Sequence, residues 1–230
     1  MKVIQKICLL SLIFSLMVPY ARAVEYGAEI NPNETKYEQT FSDVPTDHWA
    51  FTYIAELTSR GAISGYPDGL FRPNRLVTRE EFARIMVGAA GLPPAAVTQS
   101  SFADVPADYW ASPFIEAARS YMTAYKNGSQ YQFKPTAGAL REDIAVAIVK
   151  LKGYDTRLAD LSMLQAMFTD VDSISASAQP YVAIAVENSL ISGYPNETFR
   201  AQDTISRAEA ASILWRAFQY GSDIKVPGGE

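Results

Sequence analysis

The chain repeats one pattern three times, and this repetition constrains its fold more than any other feature. The copies begin with FSDVP at 41–45, FADVP at 102–106 and FTDVD at 168–172. A second phenylalanine follows the first after 30, 31 and 31 residues, and an arginine follows that second phenylalanine after 8 residues in every copy. Units of this size bury their apolar faces against neighbouring units, so we expect the repeats to pack as one body.

Each unit is predicted to form two helices joined by a structured loop. Apolar residues recur with the i, i+3, i+4 and i+7 spacing of one helix face. In the first helix these positions hold Ala50, Tyr53, Ile54 and Leu57, then Ala111, Phe114, Ile115 and Ala118, then Ala178, Tyr181, Val182 and Ala185. We predict an all-α fold of three tandem two-helix repeats, with three lobes around a shared helical centre and very short β pieces at most. A further helix is expected within 158–167.

The second helix of the outer units carries a start signal. Thr78 and Ser206 are good N-cap residues, and Glu81 and Glu209 stand three positions later. This spacing predicts a capping box, in which each side chain satisfies a free backbone N–H of the other residue. The middle unit has Leu140 at the cap position, so its helix is expected to begin less cleanly.

The first residues are typical of a secretory signal peptide. Lys2 and Lys6 precede a short apolar run, and Ala21-Arg22-Ala23 supplies a cleavage site. The run is too short to span a bilayer, and its removal takes Cys8 with it, so the exported chain would have no disulfide. The predicted divisions are a signal peptide at 1–23, a polar linker at 24–40, repeats at 41–91, 102–153 and 168–220, and a tail at 221–230.

Composition disfavours several classes of function. The net charge is −5 without a basic run, which argues against nucleic acid and anionic membranes as partners. No second apolar stretch is long enough for a transmembrane segment in the mature chain. His48 is the single histidine, so the sequence offers no histidine pair for a metal and no Ser-His dyad for an enzyme, and we predict no cofactor. Carboxylate pairs for glycoside hydrolysis stay open as an alternative.

The ordered motifs FxDVPxxxW, SGYPDGxFRP and TRxE resemble the S-layer homology domain, a bacterial envelope-anchoring module that usually occurs as three tandem copies. The resemblance covers about residues 41–220. It implies a three-lobed, pseudo-threefold helical fold. It also implies binding to secondary cell-wall polysaccharide, commonly through a pyruvylated sugar, in grooves between repeats. The expected location is the bacterial cell envelope, in the wall or S-layer, or in the periplasm of a host with two membranes.

The resemblance also implies which residues bind glycan. These are the arginines Arg79, Arg207 and Arg141, the aromatic residues Trp49 and Trp110, and the loop pairs Gly65-Tyr66 and Gly193-Tyr194. The third unit has Ala176 and Ser177 in place of the tryptophan, and the middle unit reads Ala124-Tyr125-Lys126 in place of Gly-Tyr-Pro. One or two working grooves are therefore expected.

An arginine at the first helical position suits a carboxylate ligand. Its guanidinium would lie beside free backbone N–H groups and could hold the carboxylate in a bidentate pair. We expect these arginines to be exposed first-turn residues. The alternative is that the glutamates cap, the arginines are solvated and the tryptophans belong to the core.

Two non-enzymatic functions follow. In the first, the chain is an envelope-binding module whose inter-repeat grooves hold an anionic glycan, either secondary cell-wall polysaccharide or a peptidoglycan-linked glycan. In the second, it is a structural envelope protein that self-assembles or docks a partner envelope protein. The intact loops of the outer units favour the first function, and the missing tryptophan and altered middle loop favour the second.

Overall fold

The structure is a computed structural model that describes residues 37–219. The predicted signal peptide, most of the predicted linker and the predicted tail lie outside these residues. The described part has seven α-helices and one two-stranded sheet, which confirms the prediction of a helix-rich chain with little strand. The elements in chain order are α1 (Phe51–Ser59), α2 (Arg79–Ala89), α3 (Ser112–Ala118), β1 (Tyr125–Asn127), β2 (Gln130–Gln132), α4 (Arg141–Lys152), α5 (Leu161–Met167), α6 (Gln179–Glu187) and α7 (Arg207–Gln219).

The middle unit departs from its neighbours in the loop between its two helices. There β1 and β2 form an antiparallel hairpin, in which Tyr125 pairs with Gln132. The segment between α4 and α6 contains α5, which confirms the helix expected within 158–167. It also contains short 3-10 turns at Thr156–Leu158 and Val171–Ser173.

The predicted capping boxes are confirmed at both outer units. Glu81 donates its backbone N–H to the Thr78 hydroxyl, and the Glu81 carboxylate accepts from the Thr78 N–H. Ser206 and Glu209 exchange the same two bonds, at 2.7 and 3.2 Å. Leu140 provides no side-chain cap. The glutamates therefore act as helix caps.

The three units contact one another in cyclic order. Helix α2 packs on α3, α4 packs on α6, and α7 packs back on α1. The backbone repeats this order, because the first residue of each second helix donates its N–H to a loop carbonyl of the next unit. The three bonds are Arg79 to Ala137 (2.9 Å), Arg141 to Asp203 (3.0 Å) and Arg207 to Arg75 (2.9 Å). These bonds orient α4 at its start although Leu140 cannot cap it.

Within each unit, a pair of phenylalanines anchors the loop to the unit's first residues. The ring centroids lie 5.4 Å apart for Phe41 and Phe71, 5.4 Å for Phe102 and Phe133, and 5.5 Å for Phe168 and Phe199. All six residues are buried. The landmark phenylalanines of the repeat are thus core residues.

An aspartate near the start of each unit binds the backbone of the same loop. Asp43 accepts the N–H groups of Phe71 and Arg72, at 2.8 and 2.6 Å. Asp104 and Asp170 bind the equivalent pairs in their own units. The second residue of each pair has a positive φ, which costs energy in a side-chain-bearing residue. Each carboxylate therefore stabilises a strained turn.

Gly65 and Gly193 lie against a phenylalanine ring. A Cβ atom on Gly65 would come within 2.3 Å of Phe41 Cε1, and one on Gly193 within 2.2 Å of Phe168 Cε1. The close approach of the loop to the ring therefore accounts for both glycines in the repeat.

Candidate binding site at the unit boundaries

The repeated arginines begin their helices as expected, but their side chains are buried rather than exposed. The exposed fractions are 1% for Arg79, 3% for Arg141 and 5% for Arg207. The expectation of exposed arginines was wrong, and so was the alternative of solvated ones. The physical reason is that each side chain crosses the boundary and donates to carbonyl groups inside the next unit. Spacing along one helix does not show this contact.

At the boundary between the first and second units, Arg79 is fully partnered. Its Nε donates to the Phe133 carbonyl at 2.8 Å, and one terminal nitrogen donates to the carbonyl of Thr123. Its other terminal nitrogen forms an ion pair with Asp143 at 2.7 Å. Asp143 is also buried, so the two charges neutralise each other away from water.

At the boundary between the second and third units, the partners of Arg141 are weaker. One terminal nitrogen donates to the Ser192 carbonyl, and the other lies 4.0 Å from the Glu209 carboxylate. The Arg141 Nε is buried and has no hydrogen-bond partner among the described residues. The positive charge is therefore only loosely balanced.

At the boundary between the third and first units, Arg207 binds carbonyl groups alone. Its Nε donates to Phe71 at 2.9 Å and a terminal nitrogen donates to Ser64 at 2.7 Å. No carboxylate among residues 37–219 lies within 4.0 Å of this guanidinium. Burial lowers the pKa of Arg207 below its ordinary value, and the charges of Tyr66 and Glu81 oppose this effect only in part.

A tyrosine at each boundary contacts at least two cations. One is the buried arginine of the preceding unit, and another is the basic residue with positive φ. The distances from the cationic group to the ring centroid are as follows in the three units. At Tyr66 they are 4.9 Å for Arg207 and 4.4 Å for Arg72. At Tyr125 they are 5.0 Å for Arg79 and 4.1 Å for Lys134, and at Tyr194 they are 4.8 Å for Arg141 and 4.1 Å for Arg200. Cation–π attraction accounts for this geometry.

The middle unit keeps this tyrosine although its Gly-Tyr-Pro motif is lost, as the sequence Ala124-Tyr125-Lys126 indicates. Tyr66 and Tyr194 precede their loop phenylalanines by 5 residues, whereas Tyr125 precedes Phe133 by 8. The β-hairpin accommodates the three additional residues.

Sequence reasoning also missed the exposed cation of each boundary. A basic residue follows the loop phenylalanine in every unit, at Arg72, Lys134 and Arg200. This recurrence was visible in the sequence, but nothing in the sequence indicated that the side chains stack on the loop tyrosines.

The tyrosine hydroxyls differ in their partners. Tyr125 donates to Asp143 at 3.2 Å, and Tyr194 donates to Glu209 at 2.7 Å. Burial, aided by the Glu209 carboxylate, raises the pKa of Tyr194 to about 12. The Tyr66 hydroxyl instead accepts a hydrogen bond from Arg75, which also pairs with Glu81 at 2.5 Å.

The two tryptophans are exposed, at 42% for Trp49 and 49% for Trp110, so the core alternative was wrong for them. Trp110 stands beside Tyr109, whose hydroxyl donates to Glu80 of the first unit at 2.6 Å. Trp49 stacks on His48, with ring centroids 5.8 Å apart. The bond of Tyr109 to Glu80 places Trp110 near the boundary between the first two units, and both indole rings offer exposed surface that a sugar ring could contact.

Two negative findings apply to residues 37–219. None of their helices is both long and apolar enough to traverse a bilayer. Their histidine, cysteine, aspartate and glutamate side chains form no group of three or more suited to a metal ion.

Curated relatives match most of this chain. The chain is 29% identical over 189 residues to the amylopullulanase of Thermoanaerobacterium thermosulfurigenes, and 28% identical over 186 residues to the S-layer protein sap of Bacillus anthracis. It is 28% identical over 164 residues to the cellulosome-anchoring protein of Acetivibrio thermocellus. These matches cover 82%, 80% and 69% of this chain, but 10%, 22% and 36% of the relatives. The chain thus spans only a minor part of each relative.

The family comparison supports the resemblance seen in the motifs. Residues 40–83 and 168–211 each match the family model of the S-layer homology domain. The two matched segments belong to the first and third units, which carry the intact Gly-Tyr loops and capping boxes. The outer units of this chain are therefore similar to S-layer homology domains.

Proposed function

We propose that the protein is a non-catalytic module of the bacterial cell envelope that binds an anionic wall glycan, with ketal pyruvate as the recognised group. The observation that carries the proposal is the recurring boundary of a buried arginine, a tyrosine that it contacts and a second, exposed cation at the same tyrosine. Cationic side chains of this kind suit a carboxylate on an otherwise neutral sugar. Trp49 and Trp110 are exposed and can cover the apolar side of a pyranose.

The proposal includes a third S-layer homology repeat, at the middle unit. This unit has the same phenylalanine pair, the same aspartate-bound turn and the same tyrosine contacting two cations as its neighbours. Together with the cyclic contacts, these shared features support three lobes arranged with pseudo-threefold symmetry.

The relatives support attachment as the general role. One is named an S-layer protein and another a cellulosome-anchoring protein, while the amylopullulanase carries the matched region as a tenth of its length. A region shared by enzymes and surface proteins fits attachment better than a common reaction.

A pull-down on purified wall sacculi tests the proposal. Residues 24–230 should sediment with sacculi that carry ketal pyruvate and stay in the supernatant after mild acid removes the pyruvate. Equal sedimentation with both preparations would exclude the pyruvate carboxylate as the recognised group, and no sedimentation with either would refute glycan binding.

A second candidate, docking of a partner envelope protein, is favoured by one feature. The segment that joins the middle and third units exposes three large apolar side chains: Leu158, Leu161 and Met167. Replacing all three with serine should leave glycan binding unchanged, and should abolish co-purification with envelope proteins if the second function applies.

A further inference from the structure

The three boundaries differ in how the buried arginine is neutralised. Asp143 pairs with Arg79 at 2.7 Å, and Glu209 lies 4.0 Å from Arg141. Arg207 has no carboxylate within 4.0 Å among the described residues, and Glu81 acts on it only from farther away. A buried cation without a close counter-ion is costly, and a bound anion would reduce that cost. Binding of an anion should therefore be most favourable electrostatically at the boundary between the third and first units.

A second arginine distinguishes the same boundary. The residue four positions after the loop phenylalanine is Arg75 in the first unit, but Ala137 and Asp203 in the others. The three positions are structurally equivalent, because each carbonyl accepts the backbone N–H of the preceding unit's buried arginine. Arg75 is thus an addition to the common pattern.

Arg75 occupies the rim of this boundary. Its side chain is 41% exposed, and its guanidinium lies 5.4 Å from the Tyr66 ring centroid, while that of Arg207 lies 4.9 Å from the same centroid. Arg75 also pairs with Glu81, the carboxylate at the position that Glu209 and Asp143 occupy in the other units. In those units the equivalent carboxylate faces the buried arginine instead. Arg75 thus competes with Arg207 for Glu81.

We infer that the boundary between the third and first units is the chain's preferred carboxylate site, and that Arg75 is its specificity-determining residue. The inference rests on the proposed function and deepens it. Three guanidinium groups lie at Tyr66, those of Arg72, Arg75 and Arg207, and they attract a carboxylate-bearing glycan. Arg75 is exposed and can exchange Glu81 for the ligand. At the boundary of the first and second units Asp143 would repel the same ligand.

The test compares two variants, each of which removes one exposed positive charge at a unit boundary. Arg75→Gln removes the rim cation, and Lys134→Gln removes the exposed cation at the boundary of the first and second units. Both substitutions leave the backbone bonds of their loops in place. Sedimentation with pyruvylated sacculi is measured for the parent and both variants, after thermal melts have shown matched folding. Arg75→Gln should weaken binding about tenfold, as expected for loss of one charge-assisted contact, and Lys134→Gln should weaken it less than about twofold.

The outcomes separate the inference from the proposed function. If the parent binds pyruvylated sacculi and Arg75→Gln binds as well as the parent, the inference is wrong while the proposed function stands. A larger loss with Lys134→Gln than with Arg75→Gln would move the preferred site to the other boundary and also overturn it. If the parent itself fails to bind, the proposed function is wrong and the inference falls with it.

Discussion

The guanidinium of Arg79 and the carboxylate of Asp143 form a buried ion pair, 2.7 Å long, across the boundary between the first two units. The arginine of the repeated motif therefore joins one unit to the next, and at this boundary its charge is already neutralised. Under the proposed function, the equivalent arginines would differ in their roles. An arginine paired with a carboxylate would be structural, and one without a close carboxylate would help to bind the glycan.

Loss of this ion pair should destabilise the fold strongly. We expect Arg79→Ala to lower the free energy of unfolding by about 3–5 kcal/mol, because Asp143 is left as an uncompensated buried charge. Urea unfolding of residues 24–230 measures the change. The double variant Arg79→Ala, Asp143→Ala should lose less unfolding free energy than the sum of the losses of the two single variants, because neither charge is then buried without its partner. Strict additivity would contradict the pairing.

A cap introduced at the middle unit should stabilise helix α4. Leu140 has extended backbone angles, φ −73 and ψ 146, similar to those of the capping residue Thr78. The free energy of unfolding should be about 1 kcal/mol higher for Leu140→Thr than for Leu140→Val, because the two side chains have nearly the same shape and only threonine has a capping hydroxyl. The comparison requires thermal or urea unfolding of both variants. Equal stability would show that the bonds to the third unit already satisfy this helix end.

The close approach at Gly193 should not tolerate a methyl group. A Cβ there would meet Phe168 at 2.2 Å and the Thr198 carbonyl at 3.1 Å, so Gly193→Ala should cost about 1–3 kcal/mol through overpacking. The control is Ala124→Gly at the equivalent position of the middle unit, which should change stability by under about 1 kcal/mol. Thermal unfolding of both variants measures the difference. A neutral Gly193→Ala would show that the glycine is not there for packing.

Ionisation of Tyr194 should weaken the fold at high pH. Its pKa is raised to about 12, chiefly by burial, from an ordinary value near 10. The stabilisation from the neutral phenol is therefore complete below about pH 10 and is lost as the pH rises towards about 12. Unfolding free energy should fall less steeply over this range in Tyr194→Phe than in the parent. Parallel slopes would place the Tyr194 hydroxyl in an ordinary aqueous environment.

Much of the fold could be predicted from local patterns in the sequence. The capping boxes of Thr78 and Ser206, and the helix within 158–167, depend on short spacings that govern local structure directly. The prediction of an all-α fold with very short β pieces at most agrees with the hairpin but did not locate it in the middle unit, because the three additional loop residues gave no clear strand period.

The candidate site was less predictable, because it depends on contacts between units. Whether Arg79 is exposed or buried depends on Thr123 and Asp143, 44 and 64 residues away. The sequence placed Tyr125 at the tyrosine position of its loop but did not show its contacts with Arg79 and Lys134. Arg75 does not recur in the other units. The sequence showed where each arginine lies along its helix, but contacts between units determine which groups surround its charge.

The most direct measurement of the central claim is calorimetric titration of residues 24–230 with a synthetic ketal-pyruvylated disaccharide and with its methyl ester. The two ligands have nearly the same shape and differ in the carboxylate charge. Recognition by a guanidinium predicts that the free acid binds at least about tenfold more tightly than the ester, and that added salt narrows the difference. Equal affinity for both ligands, or no heat with either, would contradict recognition of an anionic glycan at the unit boundaries.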